Sequence, residues 1–372
     1  MKYFLISGEA SGDLHASNLM GALRKCDPEA VFVGMGGDKM REAGCNLFQD
    51  YRNMAYMGVI AVLSNLDKVR DNFRIAHEAL IREQPDILVL IDYPSFNLKI
   101  ASYCRQHLPN TKIVYYIPPK VWAWKRWRIH KIARLCDEVF GILPFEPDFY
   151  GRYGYRCTYV GNPTMESVQS YLTSAPDIAR TNKIALLPGS RRGEISHCLP
   201  TMLDAARDVV REEAQKGQRY EIVVTAAPGI EDDFYRPFLQ AETLTRDTYP
   251  LLHEAAVAVV NSGTATLETA LIGCPQTAVY YIAASKWLGW LRPFLFRISQ
   301  FTLVNIIARR VVIEELIAWR FTRKNIRAEL NRLIHDEAYQ KKMLSGYNEI
   351  RKALGTQSAA MSAAEQIYKL KK

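Results

Sequence analysis

Short apolar runs rich in β-branched residues alternate along the first half of the chain with longer stretches of helical spacing. The runs are Tyr3–Ser7, Ala30–Gly34, Ile87–Ile91, Lys112–Ile117 and Glu138–Leu143; the helical stretches include Ala16–Lys25, Lys68–Glu83 and Lys99–His107. Such repetition predicts βαβ units on a parallel sheet. The pattern weakens over a polar segment containing Pro176, so residues 166–182 are expected to link a first domain, 1–165, to a second, 183–345. In the second, Lys183–Leu187, Tyr220–Thr225, Ala256–Asn261 and Gln276–Tyr280 read as strands, with helices at His197–Lys216 and Ala265–Ile272. Residues 346–372 are expected to form a helix available to pack back on the N-terminal domain. The expected fold class is α/β, two Rossmann-like domains facing a cleft.

Length agrees, since 372 residues suit two domains better than one oversized core. A formal net charge of +9 suits an anionic partner, whether nucleic acid, a membrane leaflet or a phosphorylated substrate, and does not choose among them. Seven cysteines, odd in number and without knuckle spacing, argue against a disulfide framework or zinc site and for a reducing cytoplasm. Lys2–Ser7 enters a glycine turn at once and reads as a strand, not a signal peptide. Trp287–Ile307 is apolar but carries Arg292, Arg297 and Gln300 around Pro293. Central arginines are costly in a span, so the stretch is expected to be interfacial or buried.

Candidate chemistry gathers in loops that follow strands. Gly8-Glu9-Ala10-Ser11-Gly12-Asp13 lies between a strand and a helix, where backbone N–H groups and the helix dipole favour an anion. A tight turn capped by Ser11 or Asp13 explains the same residues and, for this loop alone, is the better reading. Asp92 ends a very apolar strand ahead of Tyr93-Pro94, as a general base with a raised pKa or as a turn aspartate. The stretch from Trp122 to Lys131 interleaves aromatics and cations. It suits stacking on nucleic acid, a lipid interface or an amphipathic helix with a basic face.

In the second half, Gly189-Ser190-Arg191 follows one strand and Ser262-Gly263-Thr264 another, with Glu268 one turn into the next helix. Two such loops suit a diphosphate, and a carboxylate one turn on suits ribose hydroxyls; the plainer reading of Glu268 is an exposed helix residue. No Asp-x-Asp, His-Glu-x-x-His or Gly-x-Ser-x-Gly occurs, so metal-free chemistry is expected, with cations and helix dipoles stabilising a leaving diphosphate.

Taken in order, Gly8–Asp13, Asp92-Tyr93-Pro94, Phe96-Asn97, Val121-Trp122-Ala123-Trp124, Leu143-Pro144-Phe145-Glu146, Leu187–Arg191, Ser262-Gly263-Thr264 with Leu267-Glu268, and Asn305 resemble the lipid-A-disaccharide synthases. These are inverting transferases of the two-Rossmann glycosyltransferase-B type. The resemblance implies transfer of 2,3-diacylglucosamine from UDP to 2,3-diacylglucosamine 1-phosphate, making a β-1′,6 bond, with UDP-sugar as co-substrate and no cofactor or metal. It implies Asp92 as catalytic base and Glu9 and Asn305 as catalytic candidates. Gly189, Ser190, Arg191, Ser262, Gly263, Thr264 and Glu268 would hold UDP. Gly8, Ser11, Gly12, Asp13 and Trp122 would lie on the acceptor side. The expected setting is cytoplasmic and peripheral, on the anionic inner face of the cytoplasmic membrane, without nucleic acid and compatible with an oligomer. The apolar runs Met54–Leu66 and Trp287–Ile307 would serve the acyl chains. Departures from the family pattern are Ser95, Pro118-Pro119-Lys120, Asn162 and Val304. The alternative enzyme is a UDP-N-acetylglucosamine 2-epimerase on the same fold.

Overall fold

The computed structural model describes residues 1–54, 66–123, 125–176, 178–281 and 300–371. The chain forms two compact units: Met1–Pro163 with Thr356–Lys372, and Thr164–Gly355. The first holds β1 (Lys2–Ser7), β2 (Val31–Gly36), β3 (Asn46–Asp50), β4 (Ile87–Ile91), β5 (Lys112–Tyr116), β6 (Glu138–Gly141) and β7 (Thr158–Tyr159). Their order is β3-β2-β1-β4-β5-β6-β7, and every pairing is parallel.

Alternate residues of these strands feed two cores. Phe4, Ile6, Leu88, Leu90, Ile113 and Tyr115 enter one, while Tyr3, Leu5, Ile87, Val89, Val114 and Tyr116 enter the other. Both faces being covered, β4 reads as an unbroken apolar run with every residue 0% exposed.

The second unit has β8 (Thr181–Leu187), β9 (Glu221–Thr225), β10 (Thr243–Thr245), β11 (Ala255–Asn261), β12 (Gln276–Tyr280) and β13 (Glu315–Ile317). They are ordered β10-β9-β8-β11-β12-β13, again all parallel. In each unit the strand order reverses beside the first strand, between β1 and β4 and between β8 and β11. A crevice opens at the carboxyl ends of such strands, and that is where open α/β sheets bind ligands.

Three sequence expectations need correction. The linker at 166–182 is mostly helix, Pro163–Ser174, followed by the start of β8 at Thr181. Its apolar stripe is narrow, with only Pro163 and Val168 buried, so its helical period is faint. Residues 346–372 are not one helix. Glu337–Leu354 belongs to the second unit, where Arg351 donates to the Leu271 carbonyl at 2.6 Å, and it stops at Gly355 with φ +68°. A new helix, Ala359–Tyr368, opens on a Ser358 cap and packs against Ala10–Cys26 of the first unit. Edge strands β3, β7, β10 and β13 escaped the pattern because they are short and half polar. The run Met54–Leu66 falls almost wholly outside the described residues, though Met54 itself is buried; of Trp287–Ile307, residues 287–299 fall outside them and Thr302, Leu303, Val304, Asn305 and Ile307 are buried.

The last helix places Ala360, Ala363, Ala364 and Ile367 in the core beneath β1 and β4. Replacing Ile367 by Ala should therefore destabilise the first unit by about 2–5 kcal/mol, read from chemical denaturation. A change below about 0.5 kcal/mol, normal for a surface site, would show that this helix is not part of that core.

Candidate functional site

At the reversal in the first unit, Ser7 of β1 lies in register with Ile91 of β4, so the loops that follow both strands emerge side by side. Asp92 and Tyr93 each take φ 43°, a left-handed conformation costly for residues other than glycine. The strain is held by neighbours. Asn97 Nδ2 donates to the Asp92 carbonyl at 2.7 Å and to that of Ile91 at 3.2 Å, and the Tyr115 hydroxyl donates to the Asp92 carbonyl at 2.7 Å. Tyr93 is the N-cap of the helix Pro94–His107, so Asp92 is not its cap.

The Asp92 carboxyl is half-buried and pushed up to about 6, chiefly by burial and next by the charge of neighbouring Glu9. Lys120 and the Tyr93 N–H oppose the shift. A carboxyl held near 6 at the edge of a crevice is poised to accept a proton near neutral pH.

Gly8, Ser11, Gly12 and Asp13 surround this pair less uniformly than their spacing implies. A Cβ on Gly8 would fall 2.2 Å from the Tyr93 ring, so this glycine admits that ring. A Cβ on Gly12 would lie 3.1 Å from Ser7 Cβ, close helix-to-strand packing. Ser11 is exposed in the first helical turn. Asp13 is buried and accepts from Gly37 N at 2.7 Å, Lys39 N at 2.9 Å and Met40 N at 3.2 Å. It thus satisfies the N-terminus of the helix Asp38–Glu42, and neither it nor Ser11 caps its own helix.

Trp122 is buried edge-on to Phe145 at 5.2 Å. Close by, Glu146 is fully enclosed and pushed up to about 7 by burial, against donation from the Leu143 and Ile142 N–H groups and the charge of Lys120. Residues 128–135 form an amphipathic helix with Ile129, Ile132 and Leu135 inward, while Trp127 is 62% exposed beneath the Arg128 guanidinium.

The second unit repeats the arrangement with opposite chemistry. Leu187 of β8 pairs with Val260 of β11, and Gly189–Arg191 and Ser262–Thr264 follow those two strands. Gly189 has φ +124°, and a Cβ there would meet Asn261 Nδ2 at 2.6 Å and Glu194 Oε2 at 2.8 Å. Exposed Ser190 and Arg191 precede the helix Arg192–Gln215, and exposed Gly263 and Thr264 open the helix Thr264–Ile272. Both N-termini offer free N–H groups to an anion. Glu268 is half-buried, its pKa raised by burial, and accepts from the Tyr249 hydroxyl at 2.8 Å. The exposed-residue reading of Glu268 therefore fails.

Asn305 is a further correction. Its Nδ2 donates to the Ile313 carbonyl and to Glu315 Oε1, both at 2.9 Å, and its Oδ1 accepts from Val312 N at 2.8 Å and Ile313 N at 3.0 Å. At 1% exposure with both polar atoms of its side-chain amide engaged, it holds a loop. The structure adds Asn97, Tyr115, Lys120, Glu146, Glu194 and Tyr249 to the neighbourhoods. Asn97 and Glu146 stood in the family pattern without a role. Tyr249 carries no local signal, because only folding brings it to Glu268.

Two parallel-sheet α/β units, with glycine-bearing loops at each reversal of strand order, define a glycosyltransferase-B fold. The structure of UDP-GlcNAc 2-epimerase from Neisseria meningitidis bound to UDP-GlcNAc superposes with a TM-score of 0.68 at 10% identity, covering 99% of this chain and 100% of that one. The glycosyltransferase of kitacinnamycin gives a TM-score of 0.60 at 14% identity, covering 99% and 98%. At such identities the likeness shows the fold alone.

The family model for lipid-A-disaccharide synthetase matches residues 3–369. The lipid-A-disaccharide synthase of Trichlorobacter lovleyi is 36% identical over 367 residues, 95% of this chain and 93% of the relative. That of Myxococcus xanthus is 34% identical over 384, covering 99% and 97%. The chain belongs to the lipid-A-disaccharide synthetase family and is a glycosyltransferase of lipid A disaccharide synthesis.

Because Asn305 is spent on the backbone, Asn305→Ala should cost about 2–4 kcal/mol in denaturant melts, the range for stranding several buried partners. The folded fraction should bind UDP as the wild type does. Normal stability with lost UDP binding would reverse this assignment.

Proposed function

We propose that this enzyme transfers 2,3-diacylglucosamine from UDP-2,3-diacylglucosamine to 2,3-diacylglucosamine 1-phosphate with inversion, forming the β-1′,6-linked disaccharide 1-phosphate and UDP. The observation that carries the mechanism is the Asp92–Glu9 pair at the carboxyl edge of β4 and β1. The acceptor hydroxyl has a pKa far above neutral, so its attack on the anomeric carbon needs a carboxylate to take the proton. Asp92 is that base, and Glu9 sets its affinity for the proton. As the acceptor oxygen bonds to the anomeric carbon, the bond to the UDP oxygen breaks and negative charge grows on the diphosphate. Arg191 and the N–H groups at Ser190, Gly263 and Thr264 stabilise that charge, while Glu268 accepts from the ribose hydroxyls. Net charge of +9 and the Trp127–Arg128 surface suit peripheral binding at the inner face of the cytoplasmic membrane, where both acylated substrates reside. No described helix is long and apolar enough to cross a membrane. The epimerase alternative is not favoured, since the synthases are related at 31–36% identity and the epimerases match in fold only.

Asp92→Asn keeps the size of the side chain but cannot take the proton, so kcat should fall by roughly 10²–10⁴ with UDP affinity preserved. In the wild type, activity should rise with pH as Asp92 loses its proton near 6. Glu9→Gln removes the neighbouring charge that raises Asp92, so the rising limb should move to lower pH. A limb that moves upward, or near-normal turnover in Asp92→Asn, would remove the pair from the mechanism.

Because the leaving diphosphate is met by a guanidinium and backbone amides, initial rates should be unchanged by EDTA. Loss of activity restored by added Mg²⁺ would show that a metal takes this role.

A further inference from the structure

The same turn that offers donors to a diphosphate already contains an anion. Glu194, in the first turn of the helix Arg192–Gln215, accepts from Ser190 N through Oε2 at 3.1 Å and from Arg191 Nη1 through Oε1 at 2.9 Å. Each oxygen therefore engages one of the donors assigned above to the leaving group. The turn is built around this contact: Gly189 is left-handed, and any side chain there would strike Glu194 Oε2 and Asn261 Nδ2. Cys198 Sγ, one turn further along the helix, holds Asn261 Oδ1 at 3.7 Å. The Glu194 side chain is 24% exposed and that of Arg191 63%, so a ligand can approach the guanidinium while the carboxylate stays shielded.

We propose that Glu194 is an internal competitor for the diphosphate site, and that it sets how tightly UDP is held and how fast it leaves. A negative diphosphate can use Ser190 N and Arg191 fully only by displacing Glu194 from them, or by sharing them against like-charge repulsion. When UDP departs, the carboxylate returns, so the amide and guanidinium are never left unpaired and the departing state is stabilised. A purely structural cap would act oppositely: weakening it would loosen the turn and weaken UDP binding.

This inference rests on the donor site proposed above, and the experiment separates the two. UDP is titrated calorimetrically into the wild type, Glu194→Gln, Arg191→Ala and the double variant. Glu194→Gln keeps an oxygen for Ser190 N but removes the charge, and UDP affinity should rise about three- to tenfold, with stronger product inhibition. Arg191→Ala should weaken UDP binding about tenfold or more, and in that background the Gln substitution should have roughly no effect. If Glu194→Gln weakens or leaves unchanged UDP binding while Arg191→Ala weakens it, the competitor role is overturned and the donor site stands. Unchanged binding in Arg191→Ala removes the donor assignment and this inference with it. Should Glu194→Gln fail to fold, Glu194→Asp retracts the carboxylate by one methylene and must likewise tighten UDP binding; weaker binding there overturns the proposal.

Discussion

A parallel strand with helices on both faces can carry charge only at its ends. β4 is the extreme case, five apolar residues at 0% exposure followed at once by Asp92. A charge one residue earlier would sit in an apolar core, where an isolated ion costs several kcal/mol or is neutralised instead. One residue later it meets the crevice left where strand order reverses. The polar chemistry of both units is collected at that edge because the sheets exclude it elsewhere: Glu9 and Asp92 beyond β1 and β4, Arg191 and Ser262–Thr264 beyond β8 and β11.

The two edges differ in sign, and that difference is the basis of the catalytic proposal. The first unit brings two carboxyls together and half-buries them, which raises the proton affinity of Asp92. The second presents helix N-termini and a guanidinium. The carboxyl arrangement opposes folding. Asp92 holds its proton more tightly folded, at about 6, than unfolded, so its contribution is harmless below the usual carboxylate range. As pH rises through 6 it becomes a full penalty. Glu146, pushed up to about 7, adds a penalty of the same sign. The left-handed backbone at Asp92 and Tyr93 adds strain at the same place. Asn97, Tyr115 and the apolar core on both faces of β4 hold the turn against these costs.

Motif residues divide into those that face a ligand and those that shape the loop. Gly8 makes room for a tyrosine ring, Asp13 finishes a neighbouring helix, and Asn305 ties Ile313 and Glu315 together. Sequence pattern marks all of them. It does not separate them, because a carboxylate that accepts from backbone amides has the same one-letter code as one that accepts from a substrate.

Alternating apolar runs determined the two α/β units and most of their strands, since a buried parallel strand needs an unbroken apolar run and no other element uses one so short. Strand-then-glycine loops determined where to look for chemistry. Only the tertiary structure decided which strands adjoin, and so that the loops after β1 and β4, about 80 residues apart in sequence, emerge together. It alone paired Asp92 with Glu9 and Glu268 with Tyr249, and decided that the C-terminal segment breaks at Gly355, so that only its last helix returns to the first unit. Local periodicity reports which face of a segment is buried. What buries it depends on contacts between residues far apart in the chain, which no local pattern contains.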